Sequence, residues 1–563
     1  MVWFEGFLVR YPELTLFLVI SIGYAIGRVK VGGFSLGPVT GSLFAGIFVG
    51  QIAHVPVSGM AKSFLFLLFL FGIGYSVGPQ FLQALKRGGL KPMLLAVVCC
   101  TTGLLTAIVV AKILGLDAGF AAGLMSGALT ESPAMGTATE AITALPISID
   151  EQARLIAHIA VADAVCYIFG AAGTIIFCSV VGPKLLGIDL KAEALKLEQA
   201  FGITRTQSGV LSAWRRFELR AFRLDTNAPI AGATVASAEG RFAETRLFVH
   251  RIRRGDQILD ATPETILLAG DVIAVSGRRE ILVDLVGGRA TEVEDQTLLD
   301  MPVITLDVLL TSRVIIGLTM EEAATVPDYR GVYLRAISRG GLNLPMSPGL
   351  VFERGDVLRL VGPEQTVVHV ATRIGAVVAP TSATDFVVLG LAIFLGGLAG
   401  VLITFPVGDM KISLSTSVGT LMAGLIVGHM RTRFPLFGRI PDDAVSLMTA
   451  LGLAAFVAMT GLHAGPIFFP AIEEAGIGLL FGGMVVTLAP LLVGLFFARF
   501  VLRMNPILTL GALAGAQTMT AAMAAVQERS GSPVAVLGFT PAVPIGHILL
   551  TTWGTIIVGV IAG

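Results

Sequence analysis

The sequence predicts an α-helical polytopic membrane protein of two inverted repeats, each with five transmembrane helices plus a re-entrant segment, and two inserted α/β cytoplasmic modules between them. Three observations lead there. The 563-residue chain is 54% hydrophobic and only 14% charged, with a mean hydropathy of +0.84, more apolar surface than an ordinary soluble core can hide. Charged, turn-rich sequence is concentrated in one central block. Short sequence blocks on one side of that block recur in the same order on the other.

The spans come first. Uncharged apolar cores at Leu14 to Gly27, Phe64 to Gly78, Met93 to Val110 and Ile477 to Phe497 approach, with their flanks, the roughly 20 residues a helix needs to cross about 30 Å of hydrocarbon. Glu5 and Glu13 flank the early base Arg10, which makes the N-terminus a poor secretory signal, so the first span is expected from Leu14 onward. Cys99, Cys100, Cys166 and Cys178 all lie in apolar stretches, where a small buried hydrophobe is the expected role rather than disulfide or metal ligand. A formal net charge of zero points to no nucleic-acid partner.

From Lys191 to about Arg373 short alternating strands such as Arg246 to His250 replace the apolar spans. This insertion is itself duplicated: Phe248 to Leu285 matches Tyr333 to Val370, with Arg254-Gly255 against Arg339-Gly340, Pro263 against Pro348, and Gly270-Asp271-Val272 against Gly355-Asp356-Val357. The Gly-Asp pairs are expected to close hairpins. The expected organisation is a membrane repeat over 1–185, modules over 205–289 and 290–375, and a second membrane repeat over 384–563.

The membrane repeats align in four blocks. Gly41 to Gly50 matches Gly419 to Gly428, Gly74 to Pro79 matches Gly461 to Pro466, Gly123 to Met135 matches Gly511 to Met523, and Gly173 to Ile176 matches Gly554 to Ile557. With the N-terminus outside, inner loops hold Arg28, Lys30, Lys86, Arg87, Lys91, Arg431, Arg433, Arg439, Arg499 and Arg503, and outer loops only Arg10, Lys62, Lys112, Arg154 and Lys411. That asymmetry places the insertion in the cytoplasm. Basic residues at span edges such as Lys86, Arg87 and Arg154 are expected to anchor topology, and the Gly-Pro pairs Gly78-Pro79 and Gly465-Pro466 to end or kink helices.

The glycine-, alanine- and threonine-rich segments Gly119 to Thr143 and Asn505 to Val526 are weakly apolar and are expected to dip in and return. Irregular backbone at membrane depth is tolerated only where protein buries it or a cavity is lined by it. Substrate is therefore expected at Gly127, Ala128, Thr130, Glu131 and Ser132 in the first break and Gly515, Ala516, Gln517, Thr518 and Thr520 in the second. Amides of Gly127 to Thr130 and Gly515 to Thr518 are expected to receive carboxylates, which favours a small anionic or zwitterionic substrate. Asp163, in an otherwise apolar span, is a candidate charge relay or a partner for His158. The histidines show no ligand-type spacing, so no metal is expected.

The Gly-Pro block at Gly74 to Phe81, the Gly-Ala-x-Thr block at Gly127, its partner Gly515-Ala516-Gln517-Thr518 and the duplicated central modules together resemble the aspartate:alanine exchanger family of bacterial membrane antiporters, over nearly the whole chain. The modules look like the C-terminal ligand-binding domains of regulators of K⁺ conductance. The resemblance implies a secondary active antiporter of the bacterial inner membrane, exchanging L-aspartate for L-alanine or related amino acids and dicarboxylates. Succinate or other dicarboxylate export is the alternative. It further implies a homodimer, a possible regulatory ligand for the modules, no cofactor and no enzymatic activity. The modules also suggest an ion channel or cation transporter that they gate, although a carbonyl-lined filter signature is missing.

Overall fold

A computed structural model of the chain describes residues 2–31, 34–35, 37–86, 89–200, 217–226, 228, 230–240, 247–278, 290–324, 326, 329–339, 342–344, 346–378, 384–407, 410–431, 434 and 437–563. Arg87, Arg433, Gly340 and the boundaries drawn at 205 and 289 lie outside the described residues. The chain forms two compact bodies, Met1–Leu197 with Arg339–Pro345 and Pro380–Gly563, and Glu198–Ser338 with Met346–Ala379.

In the first body the helices before the insertion include α1 (Val2–Arg10), α2 (Pro12–Arg28), α3 (Pro38–Ile52), α4 (Gly59–Lys86), α5 (Leu90–Leu114), α6 (Ala118–Ala128), α7 (Pro133–Thr143) and α8 (Ile149–Ile176). Those after it include α9 (Phe386–Leu402), α10 (Thr416–Arg431), α11 (Asp442–Ala464), α12 (Gly478–Phe500), α13 (Pro506–Ala516), α14 (Thr520–Ser530) and α15 (Val536–Ala562). From α2 and from α9 the succession is the same: a helix, a short β-hairpin, three helices, two short helices and a long one, with one added helix, Phe468–Ala475, after α11.

Local chemistry sets the ends. Asp117, Ser148, Asp385 and Asn505 accept amide hydrogens at the starts of α6, α8, α9 and α13, satisfying donors that a helix leaves open. Proline begins α2, α3, α7 and α13, where its missing N–H costs nothing. The two Gly-Pro pairs differ: α4 runs through Pro79, whereas Gly465–Ile467 forms a tighter turn that ends α11.

Six helical stretches are long and apolar enough to cross a membrane, Gly59–Pro79, Leu90–Leu114, Ile149–Leu186, Asp442–Ala475, Gly478–Leu502 and Pro533–Ala562, and a seventh span results if α1 and α2, bent by 104°, count together. The shorter apolar helices α3 and α9 hold 15 and 17 residues, below the length that crosses unaided.

Glycines set how closely these helices approach. A Cβ on Gly46 or Gly50 of α3 would lie 2.5 Å from the Ala458 oxygen or 2.4 Å from the Leu462 oxygen of α11. On Gly74 or Gly78 of α4 it would lie 2.2 Å from the Leu421 oxygen or 2.3 Å from the Leu425 oxygen of α10. Backbones in such contact replace side-chain packing as the interhelical surface. The aligned blocks pair α3 with α10 and α4 with α11, so each helix packs on the counterpart of the other.

In the second body, Phe248–Arg254, Val272–Arg278, Phe217–Leu224 and Ala290–Val293 lie side by side in one antiparallel sheet, with Gln257–Asp260 outside the first. Tyr333–Arg339, Val357–Pro363, Val303–Leu310 and Gly375–Val377 repeat that order. The last strand of each set runs past the boundaries drawn at 289 and 375. Phe222, Val249, Ile252, Ile273 and Val275 of the first sheet close on Val235 and Ala238 of a short helix. The Gly-Asp pairs correct the hairpin expectation. Gly270 and Gly355, at φ 90 and 92, turn the chain into the following strand, while Asp271 and Asp356 accept the amides of Leu268 and Glu353. The hairpin itself lies between Arg254 and Gln257, with Gly255 at φ 60.

The two modules meet through equivalent positions, the Phe248 and Tyr333 rings lying 5.7 Å apart. Arg330 donates to Glu239 at 2.6 and 2.7 Å and to the Val249 carbonyl at 2.5 Å. His250 Nε2 lies 2.6 Å from Ser276 Oγ, which lies 2.8 Å from the Tyr333 hydroxyl. Burial, and then the neighbouring Arg330, hold the His250 imidazole down at about 4 against its ordinary 6.5. Between these values the unfolded chain binds a proton that the folded module refuses, so stability is complete above pH 6.5 and falls toward pH 4, by roughly 3 kcal/mol in all. Thermal unfolding followed against pH should show this loss in the parent and a flatter profile in His250→Gln. Parallel profiles would refute it.

Candidate functional site

Both glycine-, alanine- and threonine-rich segments break at the same place. α6 ends at Ala128 and α13 at Ala516, and each turn closes with the same pair of bonds. Thr130 N–H donates to Gly127 O at 3.1 Å and Glu131 N–H to Ser126 O at 2.9 Å, while Thr518 and Met519 N–H donate to Gly515 O and Ala514 O, both at 2.9 Å. The turns force Thr130 and Thr518 into the left-handed region, at φ 56 and 53, which is costly for a β-branched residue. The frame is that of the aligned blocks: the counterpart of Gln517 is Leu129, and that of Glu131 is Met519.

Each broken end is capped from the other half. Thr487 of α12 donates to Ala128 O at 2.9 Å, and Cys100 of α5 donates its thiol to Ala516 O at 3.5 Å. The four cysteines are buried and free, and Cys100 thus adds a donor to its apolar role.

The breaks also bond to one another. Thr130 Oγ1 donates to Gln517 O at 3.0 Å and Thr518 Oγ1 to Glu131 Oε2 at 2.8 Å. Glu131, 1% exposed, receives a further bond from Thr551 Oγ1 at 3.2 Å and faces His547 Nδ1 at 3.1 Å. Gln517 Oε1 accepts from Thr174 at 2.5 Å, and among the described residues its buried Nε2 has no partner. One acceptor-rich carboxylate and one open amide donor therefore lie on adjoining segments.

The remaining candidates divide. Ser132 is buried immediately before Pro133, and Thr520 is exposed at the start of α14. Gly127 and Gly515 let the breaks pack on neighbouring main chain, where a Cβ would lie 2.6 Å from the Asp163 or Phe539 oxygen. Ala128 and Ala516 complete the helical turns. The expected cradle of free amides over Gly127 to Thr130 and Gly515 to Thr518 does not form, because those N–H groups close the turns.

Asp163 and His158 do not pair. Five residues apart on α8, they point about 140° from one another around the helix. Asp163 accepts from Ser126 Oγ at 2.6 Å. His158 Nδ1 lies 2.7 Å from Asp117 Oδ2, and its ring stacks on Phe120 at 4.0 Å. Asp117, His158 and Glu474 bring donor atoms within 4.8 Å of one another, a grouping drawn from separate helices and thus hidden from sequence spacing. Arg154 stands 4.0 Å from Glu474, and Asp117 Oδ1 is committed to the amide of Phe120, so the cluster is already engaged in an ion-pair and capping network. His547 and Thr551 escaped the sequence reading. Their signal was available: two polar residues at i and i+4 on one face of an apolar span.

Residues 15–183 and 388–559, which hold the two breaks, match the model of a family described as a predicted permease membrane region, and residues 219–285 match a TrkA-C domain. The chain belongs to this permease family. The permease is 63% identical to an uncharacterized transporter of Bradyrhizobium diazoefficiens over 91% of its own length and 99% of the relative's. It is 36% identical to an uncharacterized transporter of Shewanella oneidensis, over 99% of each chain. To one of Bordetella bronchiseptica it is 40% identical, over 97% of the permease and 96% of the relative. No solved structure matches the permease.

Proposed function

We propose that this permease is a secondary active antiporter that exchanges amino acids or dicarboxylates, L-aspartate for L-alanine foremost, by alternating access at the joined breaks. The reciprocal bonding of Thr130 to Gln517 and Thr518 to Glu131 carries this reading. It brings irregular backbone from both halves to one buried place, where a bilayer protein tolerates it for a ligand path. The open Gln517 Nε2 suits a substrate carboxylate, with Thr130, Ser132, Thr518 and Thr520 hydroxyls on the same segments. Glu131 suits an ammonium group. Its partners are two hydroxyls and the His547 imidazole, so a dicarboxylate without an ammonium group meets like charge there unless a proton intervenes. That physics favours an amino acid over succinate. Asp163, bonded to Ser126 behind the first break, is the candidate charge relay.

The same reading sets the N-terminus outside the bacterial inner membrane, the insertion in the cytoplasm, and the protein as a homodimer whose modules take a small regulatory ligand. The TrkA-C match supports regulation by the insertion, and with it the second reading of a gated channel. Counterflow with purified permease in proteoliposomes, across a panel of amino acids and dicarboxylates, decides between them. External L-aspartate should accumulate against internal L-alanine, and the reverse, with succinate at least tenfold slower. Absence of countertransport for every acid, or an ionic current without exchange, would overturn the proposal.

A further inference from the structure

The two halves of the membrane body differ in how far their second short helix is buried. α7 is buried from Pro133 to Ala138, whereas its counterpart α14 exposes Thr520, Ala521, Ala524, Glu528 and Arg529. One contact accompanies this difference. Glu140, in the last turns of α7, lays its carboxylate on the first turn of α10, accepting from Thr416 Oγ1 and from the Ser417 N–H at 3.4 Å. A carboxylate there meets the open amides and partial positive charge of a helix start. The frame that pairs Thr130 with Thr518 pairs Glu140 with Glu528, and the aligned blocks pair the first turn of α10 with that of α3. The equivalent contact would therefore join Glu528 of α14 to the start of α3. Among the described residues it is not made, and Glu528 is exposed; of the two donors that Glu140 meets, the Ser417 amide has its counterpart at Val39, while Pro38 stands in the place of Thr416.

We propose that Glu140 and Glu528 are alternating positioning residues, each clamping the broken segment of its own half to a helix start in the other half, one in each access state. In the state seen here Glu140 holds α7 against α10 and α14 is released. In the opposite state Glu140 lets go and Glu528 holds α14 against α3. The physical basis is that related halves trade conformations during alternating access, so a contact made by one half in one state is made by the other half in the other. A contact present in only one state shifts the populations by its own worth. The inference rests on the alternating-access reading.

The test uses the full chain in proteoliposomes with Ala524→Cys as reporter, since the four native cysteines are buried. Glu140→Gln should release the clamp and lower maleimide labelling at position 524 at least threefold. Glu528→Gln should leave it unchanged or raise it. In the Glu140→Gln background, with Glu528 kept, a short bifunctional thiol reagent should bridge Arg529→Cys to Val39→Cys. No change in labelling on Glu140→Gln, or shifts of the same sign in both variants, would overturn the proposal. Should Glu140→Gln not fold, Glu528→Gln carries the test through the substrate-dependent fall in labelling that the parent should show. That fall should shrink at least threefold, and an undiminished fall would overturn the proposal. L-Aspartate counterflow in the same vesicles separates the two readings: intact exchange with unmoved labelling in the variants rejects the clamp alone, and absent exchange in the parent rejects the transport assignment.

Discussion

Replacing Thr130 and Thr518 together by valine should abolish L-aspartate counterflow while leaving the protein folded. Valine preserves the shape and β-branching of threonine, so the strain of the left-handed turns is unchanged and the broken segments keep their path. What disappears is the pair of hydroxyl donors that join the breaks. The Thr518 bond ends on a buried carboxylate and the Thr130 bond on a neutral carbonyl, so their worth differs, about 1.5–3 kcal/mol against about 1. The exchange rate should therefore fall roughly 10- to 100-fold in Thr518→Val, by several-fold in Thr130→Val, and beyond detection in the double variant. Initial counterflow rates at equal incorporation measure this, with elution as a single symmetric species for control. Unchanged uptake in the double variant would remove the breaks from the transport path. A companion change separates strain from function: Thr518→Gly loses the same bond to Glu131 but relieves about 1 kcal/mol of left-handed strain, so it should unfold at a higher temperature than Thr518→Val while exchanging no faster.

The largest structural effect is expected at the crossing of α4 and α10. A methyl on Gly74 would stand 2.2 Å from the Leu421 oxygen, and one on Gly46 would stand 2.5 Å from the Ala458 oxygen at the matching crossing of α3 and α11. The opposing atoms are main chain inside helices and have no rotamer into which to retreat, so the helices must separate and lose contacts along both crossings. Overpacking in a core costs about 1–3 kcal/mol, and an obstacle that cannot turn aside places these sites at the upper end. Gly46→Ala with Gly74→Ala should lower the thermal transition by roughly 10 °C or more or prevent recovery of monodisperse protein. Gly6→Ala and Gly390→Ala, which meet nothing within 4 Å, should change neither quantity. Equal behaviour of the two sets would show that close helix approach does not support this fold.

Much of the architecture was readable because it depends on residues close together in the chain. Hydropathy over a 20-residue window reports whether a helix can sit in lipid, and charge with alternating strands marks the insertion. Glycine, threonine and proline at Gly127 to Pro133 and Gly515 to Thr520 announce where a helix cannot continue, and both helices stop there. The repeated blocks set α3 against α10 and α4 against α11 as counterparts, but the crossings of α3 with α11 and α4 with α10 are seen only in the fold.

The partners of the candidate site depend on something else. Glu131 meets Thr518, His547 and Thr551, residues hundreds of positions away, and no spacing along the chain encodes which side chains converge when many helices pack. Asp163 and His158 looked like neighbours in the sequence, yet the turn of α8 sends them to different partners. The same holds for the amides of the broken segments, which looked free for a substrate but close helical turns instead. Composition and local stereochemistry thus specify a bilayer protein with two interrupted segments. The choice of an acid, an imidazole and an open amide as its buried centre comes from distant helices brought together by the close approach of glycine-bearing backbones.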